Sequence, residues 1–368
     1  MPEKMNKIKI VIAAFLLIVA IPTAGWAQFT ETKSVNRRFK VSPETRIEIT
    51  NKYGKIKINT WNKDSVILEI KVRVEDKKLA KLEKTIGGID FDITDNTHFL
   101  IVRTKVGETS SSFEKEVQNL KETLMLSGSK IEIDYTVWMP ASNQLKVENK
   151  FGDIFIDDYS GEIEILLSNG NLKSHNFEGK TKLTLSFADA TINNLKTARL
   201  NCNYSDVYLK NAEKLTIVSK STDFDLAEVT DLDVDSRRDK FRIQQTKKLV
   251  AQSSFTNFRV GEITDYINIK TEYGDVDIQK IGPEFRTVYL ESKSTDINLG
   301  FSETSEFGFE ITGTKTQTSF APCIEIKKTE TLDEKEKKVK LTGNYGKSGK
   351  SPKLTVNAVS GSVNISEY

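Results

Sequence analysis

A polar residue returns every 17 or 18 positions along much of this 368-residue chain, at Asp153, Asn171, Asp189, Asp206, Asp223, Lys240, Asn257 and Asp275. Wider steps carry the series through Asp296 and Gln317 to Ser362. Most of these residues are followed by a triplet with apolar ends, as in Ile154-Phe155-Ile156, Val207-Tyr208-Leu209 and Val276-Asp277-Ile278. So short a period leaves no room for a helix beside each strand. It predicts an all-β chain wound as a parallel, single-stranded β-solenoid, with about 17–18 residues in each coil.

Counting from the polar residue makes the register explicit. Apolar or small side chains recur eight, six and four places before it, and one, three and six places after it. For Asp275 these are Ile267, Ile269, Thr271, Val276, Ile278 and Ile281. The same frame fits Lys55 near the beginning, with Ile47, Ile49, Asn51, Ile56, Ile58 and Trp61. Alternation with period two means each short strand has one dry and one wet face. A single coil cannot bury enough to stand alone, so stability comes from stacking like residues on like. Phe224, Phe241 and Phe258 are expected to form one such ladder, and Ser219, Ser236 and Ser253 another at a tight corner. Ser362 is expected to end the stack.

Two segments break the repeat. Between Lys55 and Asp153 the pattern predicts a strand at 66–74, a short helix at 76–86, two strands within 89–106, a second helix or loose crossing at 110–126, and a strand at 131–139. This is a small α+β cap or insertion, covering a terminal coil whose backbone groups would otherwise be unpaired. The second interruption, 325–353, is charged and reads as a hairpin or loop. The organisation is therefore a leader at 1–27, a first coil plus cap at 28–144, and a solenoid at 145–368.

The leader is a signal-peptide pattern: Lys4, Lys7 and Lys9, an apolar run from Ile10 to Ile21, then Gly25 and Ala27 before Gln28. The run is too short to span a bilayer comfortably, and no later stretch is apolar enough to do so. The chain is expected to be exported, to the periplasm or the cell surface. Without the leader's three lysines and Glu3, the remaining residues carry 51 basic and 51 acidic side chains. That balance argues against nucleic acid as a partner. The basic cluster Arg237, Arg238, Lys240, Arg242 and Arg259 lies among aspartates, which predicts ion pairing between coils. Cys202 and Cys323 fall in inward columns about six coils, roughly 29 Å, apart at normal strand spacing. Two buried free thiols are expected rather than a disulfide.

Chemistry-bearing motifs are sparse. His98 and His175 have no nucleophile or metal-ligand spacing around them, and the glycines follow turns without forming a phosphate loop. No catalytic residue, cofactor or resident metal is expected. The acidic column Asp189, Asp206 and Asp223 is a weak calcium candidate. The ordinary preference of Asp and Asn for turns explains it more simply. Outward aromatics Phe155 and Tyr208, with Phe187 and Tyr204 near the turn column, form the candidate partner-contact face.

The segments Asn51-Lys52-Tyr53-Gly54-Lys55-Ile56-Lys57-Ile58, Tyr135-Thr136-Val137-Trp138-Met139-Pro140 and Asn149-Lys150-Phe151-Gly152-Asp153-Ile154 resemble the bacterial "putative adhesin" β-strand-repeat family, whose function is unknown. The chain is also similar to head-domain "putative autotransporter adhesins". The resemblance covers nearly all of 40–368 and implies a right-handed β-solenoid in an envelope setting. The expectation is a non-enzymatic binding or structural protein whose partner is an envelope protein, a glycan or a cell-surface polymer. Two alternatives stay open: a β-helix polysaccharide lyase or hydrolase, and a self-associating scaffold.

Overall fold

The computed structural model describes residues 28–107, 129–347 and 352–368. The signal-peptide pattern at 1–27 and the expected helix or crossing at 110–126 lie outside the described residues. The chain is all-β apart from one helix among the described residues, Leu79–Gly87. It divides into two compact units.

Among the described residues, the smaller unit takes in 28–33, 73–89, 107 and 129–131. Its helix begins where an Asp76 carboxylate oxygen accepts the Lys78 N–H at 2.8 Å. The helix buries Leu82 and Ile86, four residues apart on one face. It ends at Gly88, whose N–H donates to the Lys84 carbonyl at 3.1 Å.

The larger unit, residues 34–72, 90–106 and 132–368, is a long and mostly parallel sheet. Each repeat lies in register on the next. Val207 pairs with Phe224, Phe224 with Phe241, and Phe241 with Phe258. The three phenylalanines are buried and stacked, with ring centroids 4.7 and 5.0 Å apart. The small-residue column is longer than expected, running Cys202, Ser219, Ser236, Ser253, Thr271, Ser292 and Ala358. A third ladder is polar. Asn211 donates its side-chain N–H to Asn194 at 2.7 Å, and Asn194 donates in turn to Asn176.

The order of the last repeats corrects the sequence reading. Ser362 does not end the stack. The C-terminal strand Pro352–Glu367 lies between Thr287–Phe301 on one side and Phe307–Thr314 with Gln317–Phe320 on the other. The repeat at Gln317 therefore comes after that at Ser362 in space, though before it in sequence. Beyond it the ladder turns antiparallel, as Lys338–Tyr345 pairs with Phe307–Thr314 and then with Ile324–Asp333. That hairpin accounts for the charged 325–353 interruption. Its last strand is exposed along most of its length and rich in Lys and Glu, which discourages further strand addition. At the other end of the ladder, Phe99–Val106 and Lys130–Pro140 pair with the first repeat.

The thiols are free, as expected, but differ in setting. Cys202 is buried, whereas Cys323 is only half-buried. The chain leaves the parallel stack after Phe320 to enter the hairpin, so the inward column no longer holds there. His98 and His175 are exposed.

Candidate functional site

Each repeat turns one corner through a residue with positive φ, two places before the polar turn residue. Along the stack these are Tyr53, Phe151, Asn169, Phe187, Tyr204, Ser221, Arg238, Phe255, Tyr273, Ser294, Ser360 and Lys315, with φ between 50° and 68°. This left-handed conformation costs an ordinary L-residue about 1–2 kcal/mol, and Asn or Gly much less. Six of the twelve are nonetheless aromatic.

A local clamp holds the corner. In five of the twelve repeats the residue after the left-handed one is Ser or Thr, and its hydroxyl donates to the carbonyl two residues back. Thr222 donates to Lys220, Thr256 to Ser254 and Thr295 to Lys293, at 3.2, 3.1 and 3.1 Å. The hydrogen bond spans the left-handed residue and fixes its backbone. The residue at this position also receives hydroxyls from the small-residue column one repeat earlier. Ser219 donates to Asp239 at 2.6 Å, and Ser236 donates to Thr256 at 3.0 Å.

Asp239 is the exception in the clamp. It is 1 % exposed, and its carboxylate cannot donate to a carbonyl. It accepts the Thr222 N–H at 2.8 Å as well as the Ser219 hydroxyl. Burial raises its pKa above the ordinary value despite these bonds. Burial, with a smaller contribution from Asp239, also pushes the Cys202 thiol up, so that thiol is protonated and unreactive at neutral pH.

The corner side chains project outward and stack in pairs. Phe187 lies on Tyr204 with centroids 4.9 Å apart and planes within 4°. Phe255 lies on Tyr273 at 4.8 Å and 13°, and Tyr53 on Phe151 at 5.7 Å and 12°. Phe187 is 61 % exposed and Phe255 50 %. The flanks differ in charge. On the side preceding the corner stand Lys52, Lys150, Lys220, Arg237 and Lys293, with Glu272 among them; on the side following it, Asp153, Asp189, Asp206, Asp223, Asp275 and Asp296, with Lys55 and Lys240 among them. Lys52, Lys220 and Lys293 lie over the Tyr53, Tyr204 and Tyr273 rings at 4.9, 6.0 and 6.0 Å. Burial, and then Lys150, lower the pKa of Lys52.

The structure thus joins Phe187 and Tyr204 in one stacked, exposed pair. Phe155 and Tyr208 stand apart from them, on the outward face of the following strand, in line with Lys57 and Asp225 respectively. Phe255, Tyr273, Tyr53 and Phe151 belong to the same ridge as Phe187 but were not among the contact residues expected from the sequence. The signal was available: an aromatic two places before the turn residue, followed by Gly, Ala, Ser or Thr. It is easily overlooked because it lies outside the inward pattern.

Asp206 and Asp223 are neighbours in register, but Asp223 is engaged by Lys240 at 3.4 Å. Among the described residues no group of three or more His, Cys, Asp or Glu is placed to hold a metal ion. Asp225 pairs with Arg242 at 3.2 Å, and Asp277 with Arg259 at 3.6 Å, so Lys240, Arg242 and Arg259 of the basic cluster are ion-paired between repeats.

No family model matches the chain, and no curated protein matches it. It is similar to solved structures of a "putative cell adhesion protein" from Clostridium sporogenes (11 % identity, 91 % of this chain and 100 % of that one, TM-score 0.15) and a "putative adhesin" from Bacteroides fragilis (11 %, 91 % and 97 %, TM-score 0.23). A "putative lipid binding protein" from Parabacteroides distasonis is similar at 9 % identity, covering 91 % of this chain and 97 % of that one, with a TM-score of 0.28. These values are too low for the neighbours' names to pass to this chain.

Proposed function

We propose that this chain is an exported, non-enzymatic binding protein of the cell envelope, and that the aromatic corner ridge is its contact surface. In this reading the chain is a right-handed β-solenoid with one coil of about 17–18 residues per repeat, so the ridge runs straight along one edge. The observation that carries the proposal is the choice of residue at the corner. Asn169 and Ser221 turn it with small polar groups, so the fold does not need rings there. Phe187, Tyr204, Phe255 and Tyr273 instead hold large apolar surfaces in water on a strained backbone. Exposed aromatics on a rigid scaffold supply contact area with little entropy to lose on binding. Export is supported by the pattern from Lys4 to Ala27. The ion pairing of Asp225, Asp277, Arg242 and Arg259 supports a surface without catalytic machinery, because the nearest approach to an acid–base set is neutralised.

The test is cosedimentation of the purified mature protein with isolated envelope polysaccharide. The F187N/Y204N variant takes the corner residue that the chain already uses at Asn169. It is expected to melt near the wild type and to lose most of its retention. Retention equal to the wild type would remove the ridge as the contact surface.

One observation favours a second reading, self-association. Two copies meeting ridge to ridge with parallel axes would set each basic flank against the other's acidic flank, whereas antiparallel axes would oppose like charges. Sedimentation velocity showing a dimer that dissociates with salt would support it.

A further inference from the structure

The small-residue column does more than bend the chain. Between Ser236 and Gly313 its members are Ser253, Thr271, Ser292 and Ala358. Above this floor the outer surface forms a groove of about 780 Å³. It crosses six repeats, roughly 24 Å at ordinary strand spacing. One wall carries Gln252, Lys270, Glu291 and Asn357, one residue per repeat and paired in register. The opposite wall includes Ser254, Glu272 and Lys293. The residues that follow Ser254 and Glu272 in the chain are Phe255 and Tyr273, the second exposed stacked pair of the ridge.

We infer that this groove binds a linear, uncharged oligosaccharide lying along the stack. The inference deepens the binding reading above and rests on it. Three features of the groove select that ligand class. Its charges nearly cancel: Arg237, Lys270, Lys293 and Lys338 oppose Asp235, Glu272 and Glu291, and Lys270 is already paired with Glu291 at 3.2 Å. A polyanion therefore finds no net field. The walls offer amide, hydroxyl and charged groups that hydrogen-bond sugar hydroxyls, and Val359 is the one larger apolar side chain of the lining, too little for an acyl chain. The same wall position recurs at each strand spacing, a step close to the length of one pyranose. A chain of like sugars can then repeat its contacts from one repeat to the next, with aromatic faces at the rim for its C–H surfaces.

The experiment is calorimetric titration of the mature protein with chitotriose, chitohexaose, cellohexaose and a heparin hexasaccharide. At least one neutral hexasaccharide is expected to bind, more tightly than its trisaccharide, with the heparin fragment weaker. Q252A/N357A, on the exposed wall, and F255N/Y273N, on the rim, should each weaken binding by at least about tenfold. K210A, exposed and outside both the groove and the ridge, should leave it unchanged. Thermal melts of all variants show whether the fold is intact. Full affinity in Q252A/N357A, equal affinity for trisaccharide and hexasaccharide, or tighter binding of heparin would each overturn the groove assignment. If F187N/Y204N loses envelope retention while no hexasaccharide binds, the ridge stands and the groove falls.

Discussion

The protein stacks aromatic rings in two places, and the two stacks do opposite things. Phe224, Phe241 and Phe258 are buried on the inner face, in ordinary extended backbone. Phe187 on Tyr204, and Phe255 on Tyr273, sit outside on left-handed backbone with φ between 52° and 58°. Ring spacing is almost the same, 4.7–5.0 Å in both, because strand pairing sets it. Only burial and backbone strain differ. The inner stack removes whole rings from water. The outer one gains about 0.5–1.5 kcal/mol per stacked pair, less than the left-handed strain of its two residues at about 1–2 kcal/mol each. An arrangement that adds so little to stability points to a use outside the fold.

The sharpest break between them is a pair of truncations. Phe241→Ala removes the middle ring of the inner ladder and is expected to cost about 3–5 kcal/mol in urea unfolding. Phe255→Asn should change stability by less than about 1 kcal/mol, because Asn accepts the left-handed backbone that Phe resists. Comparable losses at the two sites would show that the outer rings are structural, and the contrast would fail.

Double-mutant cycles sharpen the same point. Phe187 and Tyr204 are stacked on each other and exposed, so their coupling should be no more than about 1.5 kcal/mol. Phe224 and Phe241 share a closed core in which one cavity relaxes into the next, and their coupling should be larger. Equal couplings would mean that burial contributes nothing beyond ring contact.

The inner stack was legible in the sequence because water does the selecting. Val276, Ile278 and their counterparts in each repeat must be apolar, and their period-two spacing gives strand, face and register together. The corner was not legible on the same grounds. Position 187 accepts Phe, 169 Asn, 221 Ser and 238 Arg, so no hydropathy pattern survives there. The place of the C-terminal strand was also hidden. Its residues fit the repeat equally well at the end of the stack or within it, and the choice depends on Thr287–Phe301 and Phe307–Thr314 both finding a partner. The groove is formed by small residues and by walls from six separate repeats, and it leaves no local motif.

The clamp that holds the corner supplies the next test. Asp239 stands where Thr222 and Thr256 stand in the adjoining repeats. Its folded pKa is raised by burial above the ordinary carboxylate value of 3.8. The folded state therefore holds this proton more tightly than the unfolded chain does. The resulting stability is fully present below the unfolded pKa and is lost as pH rises through the folded one. Asp239→Thr should restore the hydroxyl-to-carbonyl clamp across Arg238 and flatten that decline. The gain at neutral pH should be about 1 kcal/mol. Urea unfolding from pH 3 to 7 measures it, and a variant less stable than the wild type at pH 7 would refute the clamp.

The smallest effect expected comes from the other side of the same network. Hydroxyls of the small-residue column donate to the clamp residue one repeat on, as Ser219 and Ser236 do. Where that residue is glycine the donor needs another acceptor. Ser253 faces Gly274 and instead donates to Thr271 at 2.8 Å. Ser292 faces Gly361, and its next neighbour in the column is Ala358. Its hydroxyl oxygen is buried without a hydrogen-bond partner. Gly361 cannot be replaced, because its φ is 90° and an added Cβ would lie 2.2 Å from the Thr295 carbonyl oxygen. Ala358→Ser can supply the acceptor, reproducing the Ser253–Thr271 contact at the cost of one added oxygen. It is expected to raise stability by about 0.5–1 kcal/mol. The Ser292→Ala/Ala358→Ser double variant should lose that gain, since the new hydroxyl then has no donor to receive. A gain that persists in the double variant would place the stabilisation elsewhere than in this hydrogen bond.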